Sequence, residues 1–568
     1  MGAWGSPMAG LAVGAAVRAA VRGAAPGGDP NAACAGCHQA IYERYRTTPM
    51  ANASGPARKG FLAAEYYHAP SQVTYRIAET GGRVQLEMER PAIRISGRIN
   101  GMTAPALDAR RELEYFIGSG LRGRTYLFAE EGYWFEAPIN WYGKKRVWDM
   151  APNFLETAEI PLTLPVDPGC LRCHSSGARA SQPEARNRYA AEPFVDGGIT
   201  CAACHGDGSA HVASGGQARM MDIDGLAPER RDSVCLSCHL EGQAAIVRRG
   251  KRLEDFRPGE SIWDYATYFV HANDRGSGGR ATSQWEALLG SACKRGSGER
   301  MTCTTCHDPH GTETTMSRAE KVAYYRQRCL ACHETPATVG KASFSATHHA
   351  ENQDCTACHM QRASSTDIAH EQVTDHRIVV RFSGKVIPPA STGALVAVGP
   401  AAISASAEER DLGLAYAQMA ARGDRAAFDA ARMLLGRAAK RAGAEQDEEL
   451  DAQLGFLDQV AGQSAEAARE YKEALIADSE NSFAAGNLAM LLARNGDPRA
   501  AVELWRRALA EDPAQATSGI NLAIVECGLG SREDALATLG RVLEFSPDNR
   551  QALGLELSIR EKARACGR

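Results

Sequence analysis

The chain has 568 residues, 44% hydrophobic, 23% charged and 7% aromatic, with a formal net charge of −4 from 64 basic and 68 acidic residues. This composition excludes a disordered chain and gives no electrostatic case for a nucleic-acid binder; no apolar run reaches the roughly 18 residues of a membrane-spanning helix. Length allows three or four domains at roughly 150 residues each, and 17 cysteines beside 15 histidines need a chemical explanation.

Residues 1–30 read as a weak targeting segment. Met8 to Val17 is apolar, Arg18 and Arg22 follow it, and Gly23-Ala24-Ala25 offers a small-residue cleavage site. A secretory leader carries its basic residues before the apolar run, not after it. Either the start lies upstream of Met1 or the signal is degenerate.

The first of seven Cys-x-x-Cys-His motifs follows, at Cys34, Cys37 and His38. The others are Cys170, Cys173 and His174; Cys201, Cys204 and His205; Cys235, Cys238 and His239; Cys303, Cys306 and His307; Cys329, Cys332 and His333; and Cys355, Cys358 and His359. They use 14 of the 17 cysteines and leave Cys293, Cys527 and Cys566. Chance predicts about 0.01 copies from these residue frequencies. Two thiols two residues apart can form thioethers with both vinyl groups of one haem, and the adjacent histidine then ligates the iron from below. A zinc ribbon has no need of a histidine after every pair, a thioredoxin-like motif occurs once, and a disulfide framework needs no such pattern. The motifs therefore predict seven covalently bound c-type haems, with His38, His174, His205, His239, His307, His333 and His359 as proximal iron ligands. Covalent haem attachment takes place outside the bacterial cytoplasmic membrane, so a periplasmic or extracellular location is expected.

The step from Cys34 to Cys170 is 136 residues, against 26 to 34 for most other steps. Val73-Thr-Tyr-Arg-Ile-Ala and Val84-Gln-Leu-Glu-Met-Glu alternate around Gly81-Gly82, which is a hairpin signal. Leu113-Glu-Tyr-Phe-Ile, Arg124-Thr-Tyr-Leu-Phe and Tyr133-Trp-Phe-Glu read as further strands. Residues 61–160 are thus expected to form a small antiparallel β insertion within a haem domain spanning 31–383, whose motifs sit on loops and short helices.

Residues 384–404 are rich in Pro, Gly, Ala and Ser and read as a linker. Beyond them, at 405–568, a shift of 34 aligns Gly455, Ala489 and Ala523; Ala467, Ala501 and Ala535; Tyr471, Trp505 and Leu539; and Ala474, Ala508 and Val542, with Ser479, Pro513 and Pro547 at the helix ends. This is the tetratricopeptide pattern of an α-solenoid, with a degenerate extra repeat around 414–441. The fold class is α+β and multidomain.

Eight histidines remain: His68, His211, His271, His310, His348, His349, His370 and His376. None lies in the repeat region, so they are expected as distal iron ligands. His310 is too close to His307 in sequence to share its iron and should serve a neighbouring haem, as should His211; one of His348 and His349 is a spare. Met50 is a candidate sulfur ligand for the first haem. Eight candidates for seven irons force no open coordination site. No Cys-x-x-Cys-Lys, the variant of some catalytic haems, occurs. Cys527 reads as a small core residue, and no spacing selects a disulfide partner for Cys293 or Cys566.

Several segments carry a family resemblance: Ile117-Gly-Ser-Gly with Arg122-Gly-Arg-Thr-Tyr-Leu; Pro138-Ile-Asn-Trp-Tyr; Gly198-Ile-Thr-Cys-Ala-Ala-Cys-His-Gly-Asp-Gly; Phe256-Arg-Pro-Gly-Glu; Met301-Thr-Cys-Thr-Thr-Cys-His-Asp-Pro-His; and Thr374-Asp-His-Arg-Ile. From Cys34 onward the chain resembles exported multihaem c-type cytochromes with a C-terminal tetratricopeptide domain, and more distantly the doubled Cys-x-x-Cys-His and tetrahaem cytochromes. The resemblance implies haem-mediated electron transfer with His310 and His376 as ligands.

The reading is an exported seven-haem electron carrier rather than an enzyme, its repeats docking a redox partner protein or a second copy of the chain. The alternative is an oxidoreductase acting on a small nitrogen or sulfur compound at one open haem. A third is a scaffold with structural haems.

Overall fold

The computed structural model describes residues 29–94, 103–104, 106–152, 154–159, 162–176, 178–179, 181, 187–189, 193–194, 196–272, 284–333, 354–360, 374–379, 393–399, 405–442, 446–561 and 566. The chain divides into two compact units, one comprising Met1–Gly55, Leu171–Ala178 and Phe194–Pro400, the other Pro56–Cys170, Arg179–Pro193 and Ala401–Arg568. The β region expected inside the haem domain therefore groups with the repeats.

In this second unit an antiparallel sheet runs Ala64–His68, Val73–Thr80, Arg83–Arg90 and Leu107–Leu113, in that order. The expected hairpin is present, with Thr80 paired to Arg83 across a two-residue turn. Gly81 and Gly82 take φ of +60° and +81°, the left-handed values such a turn demands and glycine adopts at little cost. Alternation buries Val73, Tyr75 and Ile77 on one strand and Val84, Leu86 and Met88 on the other. A second antiparallel sheet carries Tyr115–Ile117, Gly123–Glu130, Tyr133–Tyr142 and Val147–Met150 in sequence, with Leu164–Pro165 against Tyr133–Tyr142. The run 113–117 is not one strand. Leu113 ends a strand of the first sheet and Tyr115 begins one of the second.

The repeats are antiparallel helix pairs: Glu448–Val460 with Ser464–Ala477, Ser482–Arg494 with Pro498–Glu511, and Ala516–Gly528 with Arg532–Phe545. Arg550–Glu561 starts a fourth, and Ala405–Ala421 with Arg425–Ala442 forms the degenerate pair that precedes them. Asp447, Asn481 and Asp497 cap three helices through side-chain oxygens. The small positions permit close helix approach: a Cβ added to Gly455 would lie 2.9 Å from the Tyr471 ring. Trp505 is buried and donates its indole N–H to the Gly486 carbonyl at 3.0 Å.

The end of the array packs on the β sheets. Phe545 joins their apolar core, edge-on to Phe135 at 6.0 Å. Arg90 and Asp548 form an ion pair at 2.6 Å with both side chains 1% exposed. Arg111 reaches the Glu544 carbonyl, and the Tyr133 hydroxyl donates to that of Ala510. Cys527, expected as a plain core residue, is disulfide-bonded to Cys566.

Among the described residues, the other unit buries fewer large apolar side chains. A small cluster of Leu236, Leu240, Ile262, Trp263, Ala266 and Tyr268 is buried, beside an antiparallel sheet of Ala244–Val247, Ala266–His271 and Leu395–Val398. The last strand corrects the linker expected at 384–404, because the apolar run Leu395-Val-Ala-Val398 pairs along Tyr268–His271. No residue of the helix Arg318–His333 is buried. Among the described residues, no helix is long and apolar enough to cross a membrane.

Candidate haem-binding site

All seven Cys-x-x-Cys-His motifs lie on helical turns. They end the helices Pro168–His174, Ala202–His205, Pro228–His239, Arg318–His333 and Cys355–His359, occupy the first half of Ala32–Tyr45, and form the 3-10 turn Cys303–Thr305 in the fifth. Helical spacing puts residues three and four apart on one face, so both thiols and the histidine project the same way. The His205 N–H bonds the Cys201 carbonyl at 2.9 Å and the His307 N–H that of Cys303 at 3.0 Å, closing such turns. At the seventh motif the Asp354 side chain caps the turn by accepting from the N–H groups of Thr356 and Ala357.

Histidines distant in sequence meet in pairs. The His38 and His211 rings are 6.4 Å apart between centroids with planes 17° from parallel. His205 and His310 stand at 5.9 Å and 12°, His307 and His376 at 6.2 Å and 37°. A metal–imidazole bond is about 2 Å and a centroid sits about 1 Å behind its nitrogen, so two imidazoles flanking one metal ion have centroids about 6 Å apart. Burial, with the nearby His310 and His38, lowers the His205 pKa. Burial, with His307 adding to it, also lowers that of His376. Both changes favour the neutral imidazole a metal needs.

The backbone orients these rings. Nδ1 of His211 bonds the Ala218 carbonyl at 2.7 Å, that of His376 the Thr374 carbonyl at 2.9 Å, and that of the motif residue His359 the Val379 carbonyl at 2.7 Å. His271, 3% exposed, bonds the Gly393 carbonyl through Nδ1 at 2.8 Å, while its buried Nε2 has no hydrogen-bond partner. Holding one ring nitrogen on a carbonyl and presenting the other is the usual arrangement around a ligating histidine.

One expected ligand is corrected. His68 uses both ring nitrogens within the β region, Nδ1 with the Ser71 hydroxyl and Nε2 with the Leu155 carbonyl, each at 2.8 Å, which leaves none for iron. Opposite His38, for which Met50 is the sequence candidate, the structure places His211. His348, His349 and His370 lie outside the described residues.

Thiols of different motifs also adjoin. Cys34 is in hydrogen-bonding contact with Cys201, Cys173 with Cys238, Cys235 with Cys303, and Cys329 with Cys355. Cys204 is near Cys238, and Cys306 near Cys332. The contacts link the motifs in the order first, third, fourth, fifth, sixth, seventh, with the second beside the fourth. Cys293 lies close to Cys332, and burial raises its thiol pKa.

Sequence reasoning missed the buried donors around these motifs. Arg172 Nε and Nη1, Arg326 Nη1 and the Tyr268 hydroxyl are shielded from water without hydrogen-bond partners. Arg172 and Tyr268 lie beside Cys173 and Cys238. Buried cationic donors are costly unless an anion meets them, and each haem carries two propionates. The residues present therefore fit the group: thiol pairs, opposed imidazoles and buried donors for carboxylates. Among the described residues, no three His, Cys, Asp or Glu side chains converge as a bare metal site would require.

Comparison with known proteins agrees. Residues 150–206, which hold the second and third motifs, match the family model for cytochrome c554 and c-prime. Residues 492–558 match that for the tetratricopeptide repeat. The C-terminal region is a tetratricopeptide repeat domain. The cytochrome match implies covalently bound haem. No curated protein matches the chain. Similar solved structures include YrrB, a tetratricopeptide protein with an unusual peptide-binding site, at 22% identity over 27% of this chain and 75% of that one, with a TM-score of 0.24. MamA is 18% identical over 28% and 85%, with a TM-score of 0.23. A tetratricopeptide protein from Parabacteroides merdae is 21% identical over 28% and 60%, with a TM-score of 0.25.

Proposed function

We propose that this chain is an exported seven-haem c-type cytochrome that carries electrons between partner proteins. The observation that carries the reading is the pairing of motif histidines with distant ones, His38 with His211, His205 with His310 and His307 with His376, at the spacing one iron requires. Bound haem supplies one-electron iron chemistry. The chain's own residues do the rest. Fourteen motif cysteines would anchor the groups, and the pairs His38 with His211, His205 with His310 and His307 with His376 would hold three of the irons. Main-chain carbonyls fix the rings, while Arg172, Arg326 and Tyr268 would meet the propionates. His271 is the ligand proposed for the second or fourth motif, since its strand also carries Tyr268, which lies beside Cys173 and Cys238. The adjoining thiols support one continuous series of centres rather than seven isolated ones.

The disulfide between Cys527 and Cys566 supports an oxidising compartment, in keeping with a periplasmic or extracellular protein. The repeat domain is proposed to hold a redox partner or a second copy, as arrays of this kind present extended binding surfaces. Oxidised and reduced visible spectra with electron-spin resonance test the reading. Low-spin haems are expected at the three paired motifs, those of His38, His205 and His307; a high-spin signal from another motif would favour the oxidoreductase instead.

A further inference from the structure

At the fifth motif a carboxylate faces the imidazole, whereas main-chain carbonyls hold His211, His271, His359 and His376. The His307 Nδ1 does not bond a carbonyl. It lies 3.2 Å from Glu313 Oε1, six residues along the loop that His310 also occupies. The Tyr325 hydroxyl, from the helix Arg318–His333, donates to the other oxygen of the same carboxylate and sits 3.3 Å from His307 Nδ1. The rings of His307 and Tyr325 pack edge to face at 5.8 Å. Across from His307, His376 keeps its carbonyl partner. Asp308 is a weaker version of the same device: it is 3.3 Å from His310 Nδ1, but accepts from the His310 backbone N–H and the Thr312 hydroxyl.

We propose that Glu313 is a positioning residue that lowers the reduction potential of the centre held by His307. The inference rests on the haem reading above and adds which centre is tuned and by what. A carboxylate accepting the ring N–H gives the imidazole more anionic character than a neutral carbonyl can, and a more basic ligand favours the oxidised, more positive state of the iron. Tyr325 opposes this in part by donating to the same carboxylate and dispersing its charge. Glu313 and Tyr325 thus act on one ring with opposite sign, which a purely structural role would not produce.

The test is a spectroelectrochemical titration of the haem-loaded full chain with E313Q and Y325F. In E313Q, one-seventh of the absorbance change should move to higher potential, by about tenfold in the reduced-to-oxidised ratio, or about 59 mV for a one-electron couple. In Y325F the same fraction should move to lower potential. Shifts of the same sign in both variants, or none in E313Q, overturn the proposal. Mass spectrometry of the peptide containing Cys303 and Cys306 separates the two levels. A haem adduct with an unmoved potential defeats only the assignment to Glu313, whereas no adduct defeats the haem reading and this proposal with it.

Discussion

Arg90 and Asp548 hold the last repeat onto the β sheets through an ion pair with both side chains 1% exposed. Replacing Arg90 with Ala leaves the Asp548 carboxylate buried without its cation. Breaking a buried pair in this way costs about 3–5 kcal/mol. The neighbouring contact of Phe545 with Phe135 is apolar and survives the change, so the loss reports the charge pair. With a urea slope of about 3 kcal/mol per molar, the unfolding midpoint of this unit should fall by about 1–1.7 M. Ellipticity at 222 nm follows the helices, while the Soret band reports the haem unit separately in the same sample. The double variant R90M/D548L removes both charges and fills the volume with apolar atoms, and should recover most of the loss. A midpoint drop under about 0.3 M in R90A, or a double variant no better than the single one, would refute the reasoning.

Replacing His211 with Ala should open one axial position and convert about one-seventh of the haem to high spin in the resonance spectrum. H68A should leave that spectrum unchanged, since both nitrogens of His68 are engaged within the β region. Removing the Cys527–Cys566 disulfide, which spans 39 residues of sequence, should destabilise the repeat region by about 4 kcal/mol in urea unfolding on the chain-entropy account. Burial, with Glu470, Asp447 and Glu473 nearby, pushes Asp451 up to about 7. A raised carboxylate pKa stabilises the folded state below the ordinary carboxylate range and loses that advantage as pH climbs to about 7. Accordingly D451N should gain stability relative to the parent chain at pH 8 and show little gain at pH 4.

What the sequence made legible was local or periodic. The motifs place three functional atoms on one helical face, the Gly81-Gly82 turn marks its hairpin, and a shift of 34 residues aligns Gly455, Ala489 and Ala523. Long-range partnerships were hidden, because no spacing rule links His38 to His211 or Cys527 to Cys566. His68 counted among the distal candidates in the composition, and only its Ser71 and Leu155 partners remove it. The association of the β region with the repeats depends on Phe545 and Asp548, which look like ordinary repeat residues in the chain. Likewise Leu395-Val-Ala-Val398 is too short to announce a strand until Ala266–His271 offers an edge. The split at Glu114 follows from packing in two sheets, which an alternating pattern cannot distinguish from one continuous strand.

The central claim is the number of covalent haems, and the intact mass of the purified, mature protein under denaturing conditions tests it most directly. The account predicts the polypeptide mass plus seven haems, with peptide mapping locating one adduct at each Cys-x-x-Cys-His motif. A chain carrying zinc, free thiols or fewer than seven adducts at full maturation would contradict it.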